Sequence, residues 1–109
     1  YIEVYIDLNV HLIKNVPATL MIRVQGKSMV DVGINDGDLL VVDKSLTPKN
    51  FSTVIANVHD ELVVKSLVQE RDKKFLTSGS KEFTDRILIN EDEDIFIWGV
   101  VTYVIHSVY

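Results

Sequence analysis

Short apolar runs rich in β-branched and aromatic residues follow one another along the chain, and turn-forming residues separate them. Such runs are typical of strands, because side chains branched at Cβ pack well on a pleated surface. In TLMIRVQ, for example, apolar Leu20, Ile22 and Val24 share one face of a predicted strand. The sequence therefore predicts a mostly-β fold of six or seven short strands, at about residues 19–25, 38–44, 53–58, 61–69, 73–78, 86–89 and 94–109.

Two connections add detail to this pattern. In IDLNVHLIKNVP, Asp7 precedes a helical spacing of apolar residues and Pro17 follows it, which predicts one short helix at about residues 8–15. His59 and Asp60 lie between two predicted strands, which indicates a two-residue hairpin turn.

Composition excludes several kinds of site. The 109 residues fit one domain, and the absence of cysteine excludes disulfides, thiolate metal sites and a cysteine nucleophile. The formal net charge is −5 and there is no basic patch, so direct binding to nucleic acid is not expected. No apolar run is long enough to span a membrane and no signal peptide is visible. We therefore expect no membrane contact and a cytoplasmic location.

The stretch GKSMVDVGINDGDLLVVDK, residues 26–44, places Ser28 at the mouth of a turn between two predicted strands. A loop serine most often bonds to its own backbone, and this is the simplest interpretation of Ser28. The alternative is a nucleophile, because a serine hydroxyl becomes reactive once a neighbouring base accepts its proton. Backbone N–H groups of the tight turn would then hold the oxyanion.

Lys65, in ELVVKSL, is the candidate base. In a strand it shares one face with Val63 and Leu67. Leu62 and Val64 occupy the other face, so the surroundings are apolar on both sides. It is either a surface lysine whose ammonium reaches water or a partly buried one. Burial disfavours an ammonium, and a neutral lysine is a usable general base near neutral pH.

Other groups of residues are weaker candidates for a catalytic, metal or nucleotide site. His11, His59 and His106 are far apart in the sequence, so a Ser-His-Asp triad or a zinc site would need chance pairing. In DVGINDGDLLVV, Asp36 stands where a calcium loop has its sharp-turn glycine, and Val42 where it has its glutamate. No phosphate loop or dinucleotide fingerprint is present. The sequence therefore predicts no cofactor and no metal.

The serine turn and the lysine strand together resemble the LexA/UmuD family of serine-lysine self-cleaving proteins. The family pattern is a Gly-x-Ser-Met turn, a strand led by Gly-Asp, and a strand that carries a Val-Lys pair. The matching residues are Gly26, Ser28, Met29, Gly37, Asp38, Val64 and Lys65. The spacing of 37 positions (65 − 28) and the opening with IDLN are similar to UmuD-type members. The resemblance covers essentially the whole chain.

Two turns depart from the family pattern. The family usually has Gly-Asp before the third predicted strand, where this chain has Phe51-Ser52. After KKFL it usually has a Pro and an Asn, where this chain has TSGS, residues 77–80.

The resemblance implies a single LexA/UmuD-type peptidase domain over residues 1–109, built of twisted, packed β-sheets with one short N-terminal helix. It implies that Ser28 is the nucleophile and Lys65 the general base of intramolecular peptide hydrolysis, with the oxyanion held by backbone N–H groups near Ser28 and Met29. Family members cut themselves at a bond between a small residue and glycine. This chain has no Ala-Gly or Cys-Gly pair, so the bond is expected before Tyr1.

The same resemblance implies a homodimer whose self-cleavage is prompted by a RecA–single-stranded-DNA filament after DNA damage. The trimmed product would be the accessory subunit of an error-prone translesion polymerase of the UmuC type, and would reach DNA through that partner. Two other interpretations stay open. The same motifs fit the C-terminal half of a LexA-like or phage-type repressor almost as well. A signal peptidase shares a Ser-Met turn and a lysine, but it needs a membrane anchor.

The closing stretch DIFIWGVVTYVIHSVY is the longest apolar segment, and Gly99 inside it predicts a bulge or bend. Strict alternation puts Phe96, Trp98, Val100, Val104 and Val108 on one face, and Ile95, Ile97, Val101, Tyr103 and Ile105 on the other. One face can cover the core of the chain, and the other is too apolar to face water. We therefore expect a homodimer whose contact includes residues from Ile95 to Tyr109.

Overall fold

The computed structural model describes residues 2, 6–79 and 85–109, and one antiparallel sheet dominates this part of the chain. The strands are β1 (Thr19–Arg23), β2 (Leu39–Asp43), β3 (Thr53–Val58), β4 (Glu61–Glu70), β5 (Lys73–Thr77), β6 (Arg86–Leu88) and β7 (Ile95–Ile105). Their order across the sheet is β1-β2-β7-β3-β4-β5-β6, and all neighbours are antiparallel. The predicted mostly-β fold is confirmed.

The predicted helix is present but shorter than expected. α1 spans Leu8–Leu12, and Asp7 caps it by accepting a hydrogen bond from the N–H of Asn9 at 3.0 Å. The expected extension over residues 8–15 is wrong, because the chain is already extended at Ile13 and no residue of α1 is buried. A single helical turn has little stability of its own, so without burial nothing extends it. No helix in the described part of the chain is long and apolar enough to cross a membrane.

The connection between β3 and β4 is the predicted two-residue turn. His59 and Asp60 both have positive φ, 51° and 68°, as a type I′ hairpin turn requires. Because this turn matches the twist of antiparallel strands, it fixes the register in which Val54 lies opposite Lys65. The turn thereby sets the position of the candidate base within the sheet.

β7 contains two bulges, and one of them lies beside Gly99 as predicted. The extra residues are Trp98, against β3, and Thr102, against β2. Each extra residue reverses the alternation that follows it. The predicted division of β7 into two faces is therefore wrong. Ile97 and Val101 pack against different hydrophobic cores, although strict alternation put them on the same face.

Two hydrophobic cores cover the two faces of the sheet. The first core contains Val24, Met29, Ile34, Leu40, Val42 and Ile55. The second core contains Val54, Ala56, Leu67, Leu76 and Ile95. On β3, Ile55 belongs to the first core and both of its neighbours to the second, because successive side chains of a strand point to opposite faces. The first core includes three residues of the segment between β1 and β2, which carries the candidate serine.

Replacing Gly99 with alanine is expected to destabilise the fold by about 1–3 kcal/mol, as overpacking of a filled core does. A Cβ at Gly99 would lie 2.7 Å from Cγ1 of Val42, which is fully buried. Denaturant unfolding measures the loss. In the double variant with Val42→Ala the total loss should be smaller than the sum of the single losses, because the colliding methyl groups are gone. If the losses in the free energy of unfolding of the two single variants simply add up in the double variant, the contact between the new Cβ and Val42 does not cause the loss.

Candidate active site

We call residues 26–37, between β1 and β2, the serine loop. Backbone hydrogen bonds close its base: Val24 N–H donates to the carbonyl of Asp38, and Gly37 N–H donates to the carbonyl of Val24, each at 2.9 Å. Gly26 and Gly37, at the two ends of the loop, have positive φ of 107° and 87°. Residues with a Cβ rarely adopt this conformation, so the two glycines allow the chain to leave the sheet and return at the same place.

Met29 fixes the serine loop to the body of the domain. Met29 and Ile34 are each 2% exposed and belong to the first core. The carbonyl of Met29 accepts hydrogen bonds from the N–H groups of Val32 and Ile34, each at 3.2 Å. Full burial of a methionine side chain stabilises a fold by about 1.5–3 kcal/mol. Because Met29 is anchored in this way, the residue before it, Ser28, is held half-buried at the rim of the core.

Ser28 and Lys65 line the same cavity, which has a volume of about 350 Å³. Met29 and Val64, the neighbours of these two residues in the family motif, line it as well. Lys65 is half-buried within β4 and is not a freely solvated side chain. The fold thus brings together two residues that the sequence separates by 37 positions (65 − 28). Their catalytic roles stay predictions.

The hydrogen bonds of Lys65 involve a residue that the sequence reasoning missed. Nζ of Lys65 donates to Oγ of Ser78 at 3.1 Å, and Oγ of Ser78 donates to Oδ1 of Asp85 at 3.4 Å. Among the described residues, no hydrogen bond joins Lys65 to Ser28. The signal that could have found Ser78 is its place in TSGS, where the chain departs from the family pattern.

The predicted oxyanion donors are the backbone N–H groups near Ser28 and Met29. Within the described residues, no hydrogen bond occupies the N–H group of either residue. Both residues line the cavity that Lys65 also lines. No described residue therefore competes with an oxyanion for these N–H groups, and this role stays a prediction.

Asp38 and His106 form a close pair at the base of the serine loop. Asp38 is 2% exposed, and one of its carboxylate oxygens accepts a hydrogen bond from the N–H of Asn35 at 2.8 Å. The other oxygen lies 2.6 Å from Nδ1 of His106. The Asn35 N–H first, and His106 second, hold the pKa of the Asp38 carboxyl below its usual range. Neither residue of the pair lines the cavity of Ser28, and no histidine is among the described residues that line it, so these residues form no Ser-His-Asp triad there.

An Asp38→Asn variant is expected to be less stable than the wild type near neutral pH, and the difference should shrink in acid. The folded-state pKa of Asp38 is lowered, so its carboxylate contributes stability above the unfolded-state pKa of about 3.9. This contribution is lost as the pH falls through the lower folded-state value. Thermal unfolding at a series of pH values from neutral to strongly acidic measures the difference. A difference in melting temperature that does not change with pH would contradict the effect.

Comparisons with known proteins show which family the chain belongs to. The family model described as Peptidase S24-like matches residues 1–102. Protein MucA of Salmonella typhimurium is 41% identical over 99 residues, which cover 89% of this chain and 67% of MucA. Protein ImpA of Shigella flexneri is 42% identical over 107 residues, which cover 97% of this chain and 71% of ImpA. The chain belongs to the Peptidase S24-like family of self-cleaving serine peptidases, as a UmuD-type member of the LexA/UmuD group.

Proposed function

We propose that this protein is a UmuD-type SOS-mutagenesis protein that cuts itself with a Ser28–Lys65 dyad. The observation that carries the proposal is the shared cavity of Ser28 and Lys65 in a chain of the Peptidase S24-like family. The similarity to MucA and ImpA favours this function over that of a repressor domain.

The reaction is hydrolysis of a peptide bond between a small residue and glycine. Oγ of Ser28 attacks the carbonyl carbon while Nζ of Lys65 accepts the hydroxyl proton. The backbone N–H groups of Ser28 and Met29 hold the oxyanion of the tetrahedral intermediate. Lys65 then gives the proton to the leaving amine, which breaks the C–N bond and leaves an acyl group on Ser28. Water, deprotonated by Lys65, releases the acyl group and restores the serine hydroxyl.

The partners in this proposal follow from the family type and suit the charge of the chain. A RecA–single-stranded-DNA filament prompts the cleavage, and the trimmed homodimer then serves a UmuC-type translesion polymerase in the cytoplasm. A net charge of −5 disfavours direct contact with phosphates, so the protein reaches DNA through these partners.

A fluorophosphonate probe, which phosphonylates activated serine hydroxyls, is expected to attach to Ser28. Peptide mapping by mass spectrometry locates the adduct. Ser28→Ala should remove it, whereas Ser45→Ala and Ser66→Ala should react like the wild type, because neither residue lines the cavity. An adduct on a different serine, or equal labelling of the Ser28→Ala variant, would rule out Ser28 as the nucleophile.

A further inference from the structure

Ser78 lies directly across the sheet from Lys65. β4 and β5 pair as far as Ser66 opposite Thr77, so the continued register places Ser78, the residue that follows β5, beside Lys65. Cross-strand neighbours have side chains on the same face of a sheet, within contact distance. The hydrogen bond of 3.1 Å between Nζ of Lys65 and Oγ of Ser78 is therefore a consequence of the register of β4 and β5.

The next residue, Gly79, contacts the serine loop. Its N–H points at Sδ of Met29 at 3.1 Å. A Cβ at Gly79 would lie 2.7 Å from Cγ2 and 2.8 Å from Cγ1 of Val32, so the backbone of Gly79 packs directly on the loop. Two consecutive residues thus contact both halves of the site: Ser78 holds the lysine, and Gly79 touches the residue that follows Ser28.

We propose that Ser78 is the positioning residue of Lys65, and that Gly79 beside it sets the distance between Lys65 and the serine loop. The proposal rests on the proposed dyad. A neutral amine can donate one N–H to Oγ of Ser78 and keep its lone pair for the proton of Ser28. The hydroxyl of Ser78 donates its own proton to Asp85, so its oxygen faces Lys65 as an acceptor. Ser78 acts through the orientation of Lys65 and does not react itself.

Labelling kinetics with the fluorophosphonate probe test this role. Ser78→Ala should lower the maximal labelling rate by about tenfold or more, because a misplaced base loses its alignment with the nucleophile. The probe concentration for half-maximal rate should stay the same, since Ser78 does not contact the probe. Ser78→Thr keeps the hydroxyl and should restore the rate to within about threefold of the wild type. Ser66→Ala, one position from Lys65 on β4, is the matched control and should not change the rate.

A second pair of variants tests the contact of Gly79. Gly79→Ala should also lower the maximal rate, because its Cβ would displace Val32 and the serine loop. The double variant Gly79→Ala with Val32→Ala should recover the rate, since it removes both methyl groups that the Cβ meets. If the double variant stays as slow as Gly79→Ala, Gly79 does not set the distance between Lys65 and the serine loop.

The outcomes separate this inference from the proposed function. If Lys65→Ala abolishes labelling of Ser28 but Ser78→Ala labels at the wild-type rate, the dyad stands and the positioning role fails. If Ser78→Ala and Ser78→Thr lower the labelling rate equally and also lower the melting temperature equally, the role of Ser78 is structural and the inference also fails. If Lys65→Ala labels normally, the dyad itself is wrong. An adduct on Ser78 would overturn both.

Discussion

Replacing Lys65 with arginine is expected to slow the reaction of Ser28 with the fluorophosphonate probe by roughly a thousandfold, within the range that a general base contributes. A guanidinium stays protonated at any working pH, so it cannot accept the proton of the Ser28 hydroxyl. Arginine keeps the positive charge and the long apolar stem of lysine. A role that needs only charge or packing would therefore survive the substitution, whereas the role of base would not.

Two comparisons complete this test. Lys73→Arg changes an exposed lysine at the start of β5 in the same way, and should label at the wild-type rate. Lys65→Ala should be as slow as Lys65→Arg. Thermal unfolding of each variant confirms that the fold is kept. If Lys65→Arg reacted within a few-fold of the wild type, Lys65 would not be the base.

The pH dependence of the labelling rate gives an independent readout of the same mechanism. Only a neutral amine can accept a proton, so the wild-type rate should rise from neutral to mildly alkaline pH. In Lys65→Arg this rise should be absent, because arginine does not become neutral in this range. A wild-type rate that falls over the same range, with the fold intact, would contradict a lysine base.

The strands were predictable because each carries its own local signal. β3 is found at the predicted bounds, Thr53–Val58, because β-branched residues fill it and a two-residue turn ends it. The end of α1 was not predictable in the same way. Its apolar residues suggested a buried face, but Leu8 and Val10 are exposed and no residue of α1 is buried, and a helix without a buried face stops after a turn.

The faces of β7 could not be read from alternation, because alternation assumes a regular ladder. Gly99 signalled an irregularity, but nothing in the sequence marked the second bulge, at Thr102. A bulge depends on the register of two neighbouring strands, and that register is set by residues far away in the chain. The sequence therefore predicted the strand and one irregularity, but not the orientation of the side chains after them.

The turn before β3 has residues that depart from the family pattern, and hydrogen bonds hold it. Phe51, where the family usually has glycine, has a positive φ of 69° and donates its N–H to the carbonyl of Leu67 at 2.7 Å. Oγ of Ser52 accepts a hydrogen bond from the N–H of Lys49 at 2.8 Å. Phe51 thus adopts the left-handed conformation that glycine favours, and hydrogen bonds hold the turn.

The two main residues of the candidate site were predictable from sequence motifs, but the residue that contacts Lys65 was not. Ser28 and Lys65 were identified from motifs, and the structure brings them to one cavity. Ser78 belongs to no motif, and its contact with Lys65 arises from strand pairing. The departure at TSGS marks Ser78 as unusual for the family, but nothing in the sequence shows that its hydroxyl reaches Lys65, so the contact itself is shown by the register.

The end of β7 has the properties that a homodimer contact needs. Tyr103, Val104 and Ile105 are 38–39% exposed, although all three are apolar or aromatic. Within the described residues, β3 pairs with β7 only as far as Val100, so the β7 edge beyond it has no strand partner on that side. An exposed apolar edge of this kind invites pairing with a second strand. Two copies of this edge can pair about a two-fold axis, the commonest symmetry of homo-oligomers.

A Val104→Asp variant is therefore expected to raise the dissociation constant of the proposed homodimer by roughly a hundredfold or more. An unpaired charge buried at an interface costs about 3 kcal/mol or more, and each 1.4 kcal/mol corresponds to a factor of about ten. Val100 and Val101 are unsuitable for this test, because Val100 is buried and Val101 packs against the first core. Their substitution would damage the fold instead of the contact.

Sedimentation velocity over a range of concentrations measures the change, and the melting temperature checks that Val104→Asp is folded. Leu88→Asp is the matched control, because Leu88 is a comparably exposed apolar residue, 45% exposed, on β6 at the opposite end of the sheet from β1. We expect it to dimerise like the wild type. If the wild type sediments as a monomer at tens of micromolar, the chain does not form the expected homodimer. If both variants weaken the dimer equally, the contact does not lie on β7. Loss of the dimer in Val104→Asp alone would assign the contact to this strand, because both variants replace an exposed apolar side chain with the same charge, on different strands.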